Sequence, residues 1–192
     1  MKVSAVILAG GKGHRMGGQD KGLMLCAGKP LIAYVIARLE PQVDEILINA
    51  NRELDQYEKL GFPVIKDATN DFAGPLAGFQ VAMQQAQHDY VLSVPCDSPL
   101  LPSDLYYRLS QALNAQKADI AVAWANGQSQ PVFSLFRKSL LPQLDQYLAE
   151  GNRKVDRWQK SLKLVEVSFE DNPIGFININ TPEELAGLEK AL

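Results

Sequence analysis

Two hydrophobic patterns alternate along the chain. Short, almost uninterrupted apolar runs occur at 3–9 (VSAVILA), 44–50 (DEILINA), 63–67 (PVIKD), 89–94 (DYVLSV), 118–124 (ADIAVAW), 131–136 (PVFSLF), 163–169 (KLVEVSF) and 175–179 (GFINI). Between most of them lie segments whose apolar positions recur every three or four residues. PLAGFQVAMQQAQ at 75–87 places Leu76, Phe79, Met83 and Ala86 on one helical face, behind a proline suited to a first helical position. PLIAYVIARLE, SDLYYRLSQALNAQ with Ser103 as expected N-cap, and TPEELAGLEKAL with Thr181 as cap and Pro182 next, are the other predicted helices. A strand that is apolar at every position needs cover on both faces, so this alternation predicts a mostly parallel sheet between two helical layers. The expected fold is therefore a three-layer α/β/α sandwich, with residues 1–192 as one domain. NGQSQ at 126–130 is expected to be a polar loop, and His88 a helix-end residue.

In open parallel sheets ligands settle beyond the carboxyl ends of the strands, near the point where strand order reverses. The chemistry-bearing residues of this chain fall at such ends. GGKGHR follows the first predicted strand, Asn49 and Asn51 end the second, Asp67 the third, and PCDSP follows the fourth. In the first of these loops Gly10, Gly11, Gly13, Gly17 and Gly18 are interleaved with Lys12, Arg15 and Lys21, which suits an anion cradle. Asp97, in a turn between Pro95 and Pro99, is placed either as a turn former or as a carboxylate for a hard, oxygen-seeking ion such as Mg²⁺. Lys21 is either a solvated lysine or a point charge folded back over phosphates. Asn49 and Asp67 alone are equally suited to satisfying backbone groups and to holding a ligand. No Ser/His/Asp or Cys/His set is present, and His14 has no evident base or metal partner.

Composition narrows the function classes. With 46% hydrophobic residues the chain can bury a substantial core, and a net charge of −3, from 19 basic and 22 acidic residues, provides no diffuse basic field for a nucleic-acid backbone. The two cysteines, Cys26 and Cys96, suit neither a disulfide framework nor a zinc cluster, and a thiol is too soft for Mg²⁺. No apolar run nears the ~20 residues that span a bilayer, and the short apolar run after Lys2 lacks a small-residue cleavage site. The expectation is a cytoplasmic protein with neither membrane nor nucleic-acid partners.

Taken together, LAGG-KGH-RMGG-QDKGL, NANR at 49–52, Asp67, GPLAG at 74–78, PCDSP at 95–99 and FININTPEEL at 176–185 resemble the molybdenum cofactor guanylyltransferases. The likeness runs through nearly the whole chain, in the family's motif order. The wider superfamily includes sugar-1-phosphate nucleotidyltransferases and molybdopterin cytidylyltransferases; RMGG…DKGL and GPLAG are more similar to the guanylyl branch. The resemblance implies a Rossmann-like fold of nucleotide-diphosphosugar transferase type. It also implies Mg²⁺-dependent transfer of GMP from GTP to the terminal phosphate of molybdenum-bound molybdopterin, with release of pyrophosphate. By the same resemblance Leu8, Ala9 and Gly10 line guanine and ribose, Lys21 binds the phosphates, and Asn49 and Asp67 complete the nucleotide pocket; Gly11 is a further expected nucleotide-binding residue, and Arg15 is expected to help Lys21 neutralise the charge that grows on pyrophosphate. Gly78 lets the chain pass close to the ligand, and Asp97 holds the metal. Asn178 and Asn180 stand where sugar nucleotidyltransferases often carry a second metal-binding aspartate, a departure that argues against a two-carboxylate site. Arg153, Lys154 and the GQSQPVF stretch are candidates for the anionic pterin, with transient cofactor-delivery or acceptor proteins as partners. Two rivals stay open: a cytidylyl or sugar-1-phosphate transferase of the same fold, and a nucleotide-sensing module without turnover. The latter would be marked by loss of Asp97 or Lys21, and both are present.

Overall fold

Strand β1 (Val3–Leu8) is buried along nearly its whole length, as its apolar run requires. In the computed structural model, which describes residues 1–10, 20–68 and 74–191, β1 is central to a seven-stranded sheet. The other sheet strands are β4 (Glu45–Asn49), β5 (Val64–Ile65), β6 (Tyr90–Pro95), β7 (Ile120–Ala125), β8 (Gln128–Arg137) and β9 (Leu164–Ser168). A separate hairpin joins β2 (Leu25–Cys26) to β3 (Lys29–Pro30). The sheet order is β5-β4-β1-β6-β8-β7-β9. β5, β4, β1 and β6 are mutually parallel, β8 is antiparallel to both its neighbours, and β9 pairs parallel with β7.

Helices cover both faces. On one side α1 (Leu31–Leu39), α2 (Leu54–Glu58) and α4 (Leu105–Ala115) contribute Ile32, Val35, Tyr57, Leu105, Leu109 and Leu113 to a core shared with Val3, Ala5 and Ile7 of β1. On the other, α3 (Pro75–Gln85), α5 (Leu141–Ala149) and α6 (Val155–Lys160) contribute Leu76, Phe79, Met83, Leu144 and Trp158, packed on Val6 and Phe136. These are the two covering layers that the apolar strands predict. α7 (Pro182–Ala191) closes the chain. Thr181 Oγ1 accepts from the Glu184 amide while the Glu184 carboxylate accepts from the amides of Asn180 and Thr181, a reciprocal cap.

Four local expectations are corrected. GFINI is no sheet strand: Pro173–Phe176 is a 3₁₀ turn, and the following residues run outside the sheet. Its apolar side chains plug cores instead, Phe176 against Phe133 and Phe169, and Ile179 beside Cys26 and Leu31. Residues 128–130 are not loop but the start of β8, and the Asn126-Gly127 pair makes the tight turn, with φ of 56° and 70°. Asn-Gly flanked by strands is the strongest short hairpin signal, and it overrides the polarity of the residues that follow. Asp104 rather than Ser103 occupies the N-cap of α4, and neither side chain caps; Gln42 Oε1 accepts from the Tyr106 amide at 3.1 Å in their place. His88 lies three residues beyond the end of α3, where its amide donates to Ser4 Oγ.

Candidate functional site

The sheet register explains how distant residues meet. Leu8 pairs with Asn49 and with Pro95, and Asn49 pairs with Ile65, so the four parallel strands end in one row. Two residues past that row come Gly10, Asn51, Asp97 and Asp67. The sequence's candidate residues thus share one edge, at the reversal of strand order on either side of β1.

On the β4–β5 side a compact amide–carboxylate network forms. Asn49 Nδ2 donates to Asp67 Oδ1 at 2.9 Å and to the Ile65 carbonyl at 3.3 Å, while Asn51 donates through Nδ2 to Asp67 Oδ2 at 2.8 Å and accepts through Oδ1 from the Asp67 amide at 3.0 Å. Gly78, in the first turns of α3, is pressed onto this network. A Cβ there would stand 2.5 Å from Leu8 Cδ2 and 2.6 Å from Asn49 Oδ1. At Gly10 a Cβ would stand 2.9 Å from Asn51 Nδ2. The Leu8 carbonyl and the Ala9 amide are spent on the sheet, accepting from the Cys96 amide and donating to the Asn49 carbonyl. Any base-recognising main-chain groups in LAGG therefore lie beyond these two.

On the β6 side, Lys21 Nζ lies 3.2 Å from Asp97 Oδ2 and also donates to Asn180 Oδ1. The Ile179 amide donates to the Asp97 carbonyl at 2.8 Å, and Ser98 Oγ donates to Asn178 Oδ1 at 2.7 Å. The departed sheet segment is thereby stitched across the PCDSP turn. Asp97 is only 7% exposed, and burial pushes its carboxyl above the ordinary range, an effect that the Lys21 ammonium opposes. Burial also pushes the Cys96 thiol well up, which keeps it protonated and inert.

Other candidates fall elsewhere. Arg153 donates to the carbonyls of Leu148 and Asn152, at the carboxyl end of α5, and the Lys154 carbonyl accepts from Tyr147 Oη; neither side chain meets the network around Asp97. Gly11, Lys12, Gly13, His14, Arg15, Gly17 and Gly18 lie outside the described residues. Among the described residues no cluster of three His, Cys, Asp or Glu side chains forms a metal cage. Asp97 suits a different arrangement, in which one or two carboxylates and substrate phosphates hold an ion that keeps several waters.

Residues 5–165 match the family described as the MobA-like NTP transferase domain. The molybdenum cofactor guanylyltransferase of Shewanella amazonensis is 49% identical over 192 residues, covering 100% of this chain and 98% of its own; that of Shewanella loihica is 45% identical over 191, covering 100% and 97%. The chain belongs to the molybdenum cofactor guanylyltransferase family. Solved structures bear out the α/β fold: the molybdopterin-guanine dinucleotide biosynthesis protein A of Archaeoglobus fulgidus superposes with a TM-score of 0.79 at 24% identity, covering 100% of this chain and 98% of its own. A CMP:2-keto-3-deoxy-manno-octonic acid synthetase complexed with CTP gives 0.75 at 16%, covering 100% and 98%. Sequence reasoning about this guanylyltransferase-family chain passed over Asp20 and Tyr57, which lie beneath Lys21. Tyr57 Oη donates to Asp20 Oδ1 at 2.5 Å, and Asp20 Oδ1 also accepts from the Gly22 amide at 3.3 Å. A lone tyrosine in a five-residue helix carries no sequence signal for such a contact.

Proposed function

We propose that this protein transfers GMP from GTP to the terminal phosphate of molybdenum-bound molybdopterin, releasing pyrophosphate. The observation that carries the proposal is the common row of strand ends, which sets Asn49, Asp67 and Gly78 on one side and Lys21 and Asp97 on the other. The first group is assigned to the guanosine and the second to the phosphates, with Leu8, Ala9, Gly10 and Gly11 along the strand-end loop and Arg15 reaching the phosphates from the glycine loop. Residues 1–192 are read as one cytoplasmic domain, with proteins that deliver or receive the cofactor as transient partners.

The acceptor is a phosphate monoester whose second pKa is near ~6, so its oxygen is largely ionised at neutral pH and needs no protein base. It attacks the α-phosphorus of GTP; the bond from that phosphorus to the α,β-bridging oxygen breaks, and the electron pair leaves with pyrophosphate. The protein aligns attacking and leaving oxygens and supplies positive charge where negative charge grows. Lys21 does this directly. Asp97 would hold Mg²⁺, which would add charge stabilisation on the phosphates. A buried carboxylate faced by one lysine, with the neutral amides of Asn178 and Asn180 beside it, fits one such ion better than two.

The test is pyrophosphate release with GTP, CTP, ATP and UTP, with and without molybdopterin. Release with GTP and dependent on molybdopterin is expected; preference for CTP would move the chain to the cytidylyl branch. Guanine should also bind better than adenine in calorimetry with Mg²⁺, because a site built to pair with hydrogen-bonding edges leaves its own groups unpaired on the wrong base. Equal affinity for ATP and GTP would refute this. Lys21→Ala is expected to weaken GTP by about 10- to 100-fold, the worth of one or two charge-assisted hydrogen bonds, and GMP by about twofold or less. An equal loss for both ligands would reassign Lys21.

A further inference from the structure

We infer that Tyr57 and Asp20 form a buried clamp that positions Lys21 for the outer phosphates of the nucleotide, so that both are positioning residues for the transfer. The inference rests on the assignment of Lys21 to those phosphates.

Lysine is a point charge on a flexible stem with many rotamers, so its aim depends on how firmly its backbone is held. Here the backbone is a three-residue 3₁₀ turn, Lys21–Leu23, far too short to stand alone. Asp20 is its N-cap, and the same oxygen that accepts from the Gly22 amide accepts from Tyr57 Oη. Tyr57 is fully buried in α2, against the face of the sheet that carries β1 and β4. The turn lies flush against both this ring and the residue before Asp97. A Cβ on Gly22 would stand 2.8 Å from Tyr57 Oη and 3.2 Å from both Cβ and Sγ of Cys96. The buried side of the turn is thus keyed both to α2 and to the strand end that presents Asp97. Lys21 leaves this seat to reach Asp97 and Asn180.

Two other roles fit less well. Asp20 is 8% exposed and its Oδ1 carries both bonds, which suits a cap rather than an ion ligand. Burial drives the Tyr57 phenol far up, so Tyr57 stays a donor at any working pH and is no proton-transfer group. A solvent-exposed DKGL turn would need neither the tyrosine nor the absence of a side chain at Gly22.

The experiment measures GTP and GMP affinity by calorimetry, and guanylyl transfer, for Tyr57→Phe, Lys21→Ala, the double variant and two variants of Asp20. Tyr57→Phe removes one oxygen from a ring that stays buried. It should weaken GTP about tenfold with GMP within about twofold, and in the Lys21→Ala background its effect should shrink to under about twofold. Asp20→Ser keeps a cap for Gly22 but cannot span to Tyr57, and should show the same GTP-selective loss, which covers the case in which Tyr57→Phe folds poorly. Asp20→Asn offers an oxygen to both donors and should retain GTP affinity within about threefold. Equal losses of GTP and GMP, an undiminished Tyr57→Phe effect without Lys21, or Asp20→Asn behaving like Asp20→Ser would overturn the clamp. Lys21→Ala with unchanged GTP affinity would overturn the assignment of Lys21 itself and the clamp with it, whereas a Lys21→Ala loss beside a silent Tyr57→Phe would overturn the clamp alone.

Discussion

Asp97→Asn is expected to lose guanylyl transfer by at least about a hundredfold while melting at, or slightly above, the wild-type temperature. The first half follows from charge. An amide has nearly the shape of the carboxylate but, without its charge, holds a divalent ion far more weakly, and each ~1.4 kcal/mol of lost transition-state stabilisation costs tenfold in rate. The second half follows from burial. The folded-state carboxyl of Asp97 is raised above its ordinary value by desolvation, with the Lys21 ammonium pulling the other way. A folded protein that holds this proton more tightly than the unfolded chain gains stability as pH falls through the window above the ordinary carboxylate range. At neutral pH the ionised group therefore costs stability, and a neutral amide removes that cost. The melting advantage of Asp97→Asn should be largest near pH 7 and fade as wild-type Asp97 protonates. Affinity for guanine nucleotide should largely persist through the Asn49 side of the site. If the variant melts earlier and the folded fraction transfers GMP at near wild-type rate, Asp97 is a turn former and not a metal ligand.

Gly78→Ala should do comparable damage by geometry alone. In an exposed helix interior this substitution would stabilise by about 1 kcal/mol. At Gly78 the added carbon would meet Leu8 Cδ2 and Asn49 Oδ1 at distances that real Cβ atoms do not sustain. The leucine methyl can rotate away. Asn49 cannot move so cheaply, since it is 3% exposed and its amide is tied to the Ile65 carbonyl and to Asp67. Overpacking of this kind costs about 1–3 kcal/mol, so a net fall in melting temperature is expected despite the better helix former. A displaced Asn49 would carry Asp67 and the nucleotide pocket with it, and affinity for GTP and GMP should fall together, by about 30-fold or more. That equal loss sets it apart from Lys21→Ala. Unchanged affinity for both ligands would show that Asn49 and Asp67 serve only the backbone.

Much of this site was legible because strand ends are written locally. VSAVILA, DEILINA, PVIKD and DYVLSV each announce a buried strand, and in parallel register their last residues must share an edge, so Asn49, Asp67 and Asp97 could be brought together without coordinates. What stayed hidden depends on contacts between elements far apart in sequence. Nothing near Tyr57 signals Asp20, 37 residues earlier, and nothing in GFINI shows that its apolar residues fill two core gaps instead of pairing along a sheet. The caps divide the same way. Thr181 and Glu184 lie three residues apart and were readable, whereas Gln42 satisfies the Tyr106 amide across 64 residues and was not. The asparagine and glycine at 126–127 were the opposite case, a local turn signal outweighed by the polar residues beside it.

The bond from Lys21 to Asn180 spans 159 residues of chain. All seven strands of the main sheet are complete by Ser168, and the segment that bridges Asp97 and Lys21 follows only afterwards. In sequence, the sheet and the helices α1 to α6 against it therefore all precede the last piece of the strand-end network. A nascent chain halted after Ser168 would hold its strand-end row and the Lys21–Asp97 pair but lack Asn178 and Asn180. The contacts that tie Lys21, Asp97 and Ser98 to residues 178–180 are thus made by a segment that follows the whole sheet in sequence and is laid over a platform already specified.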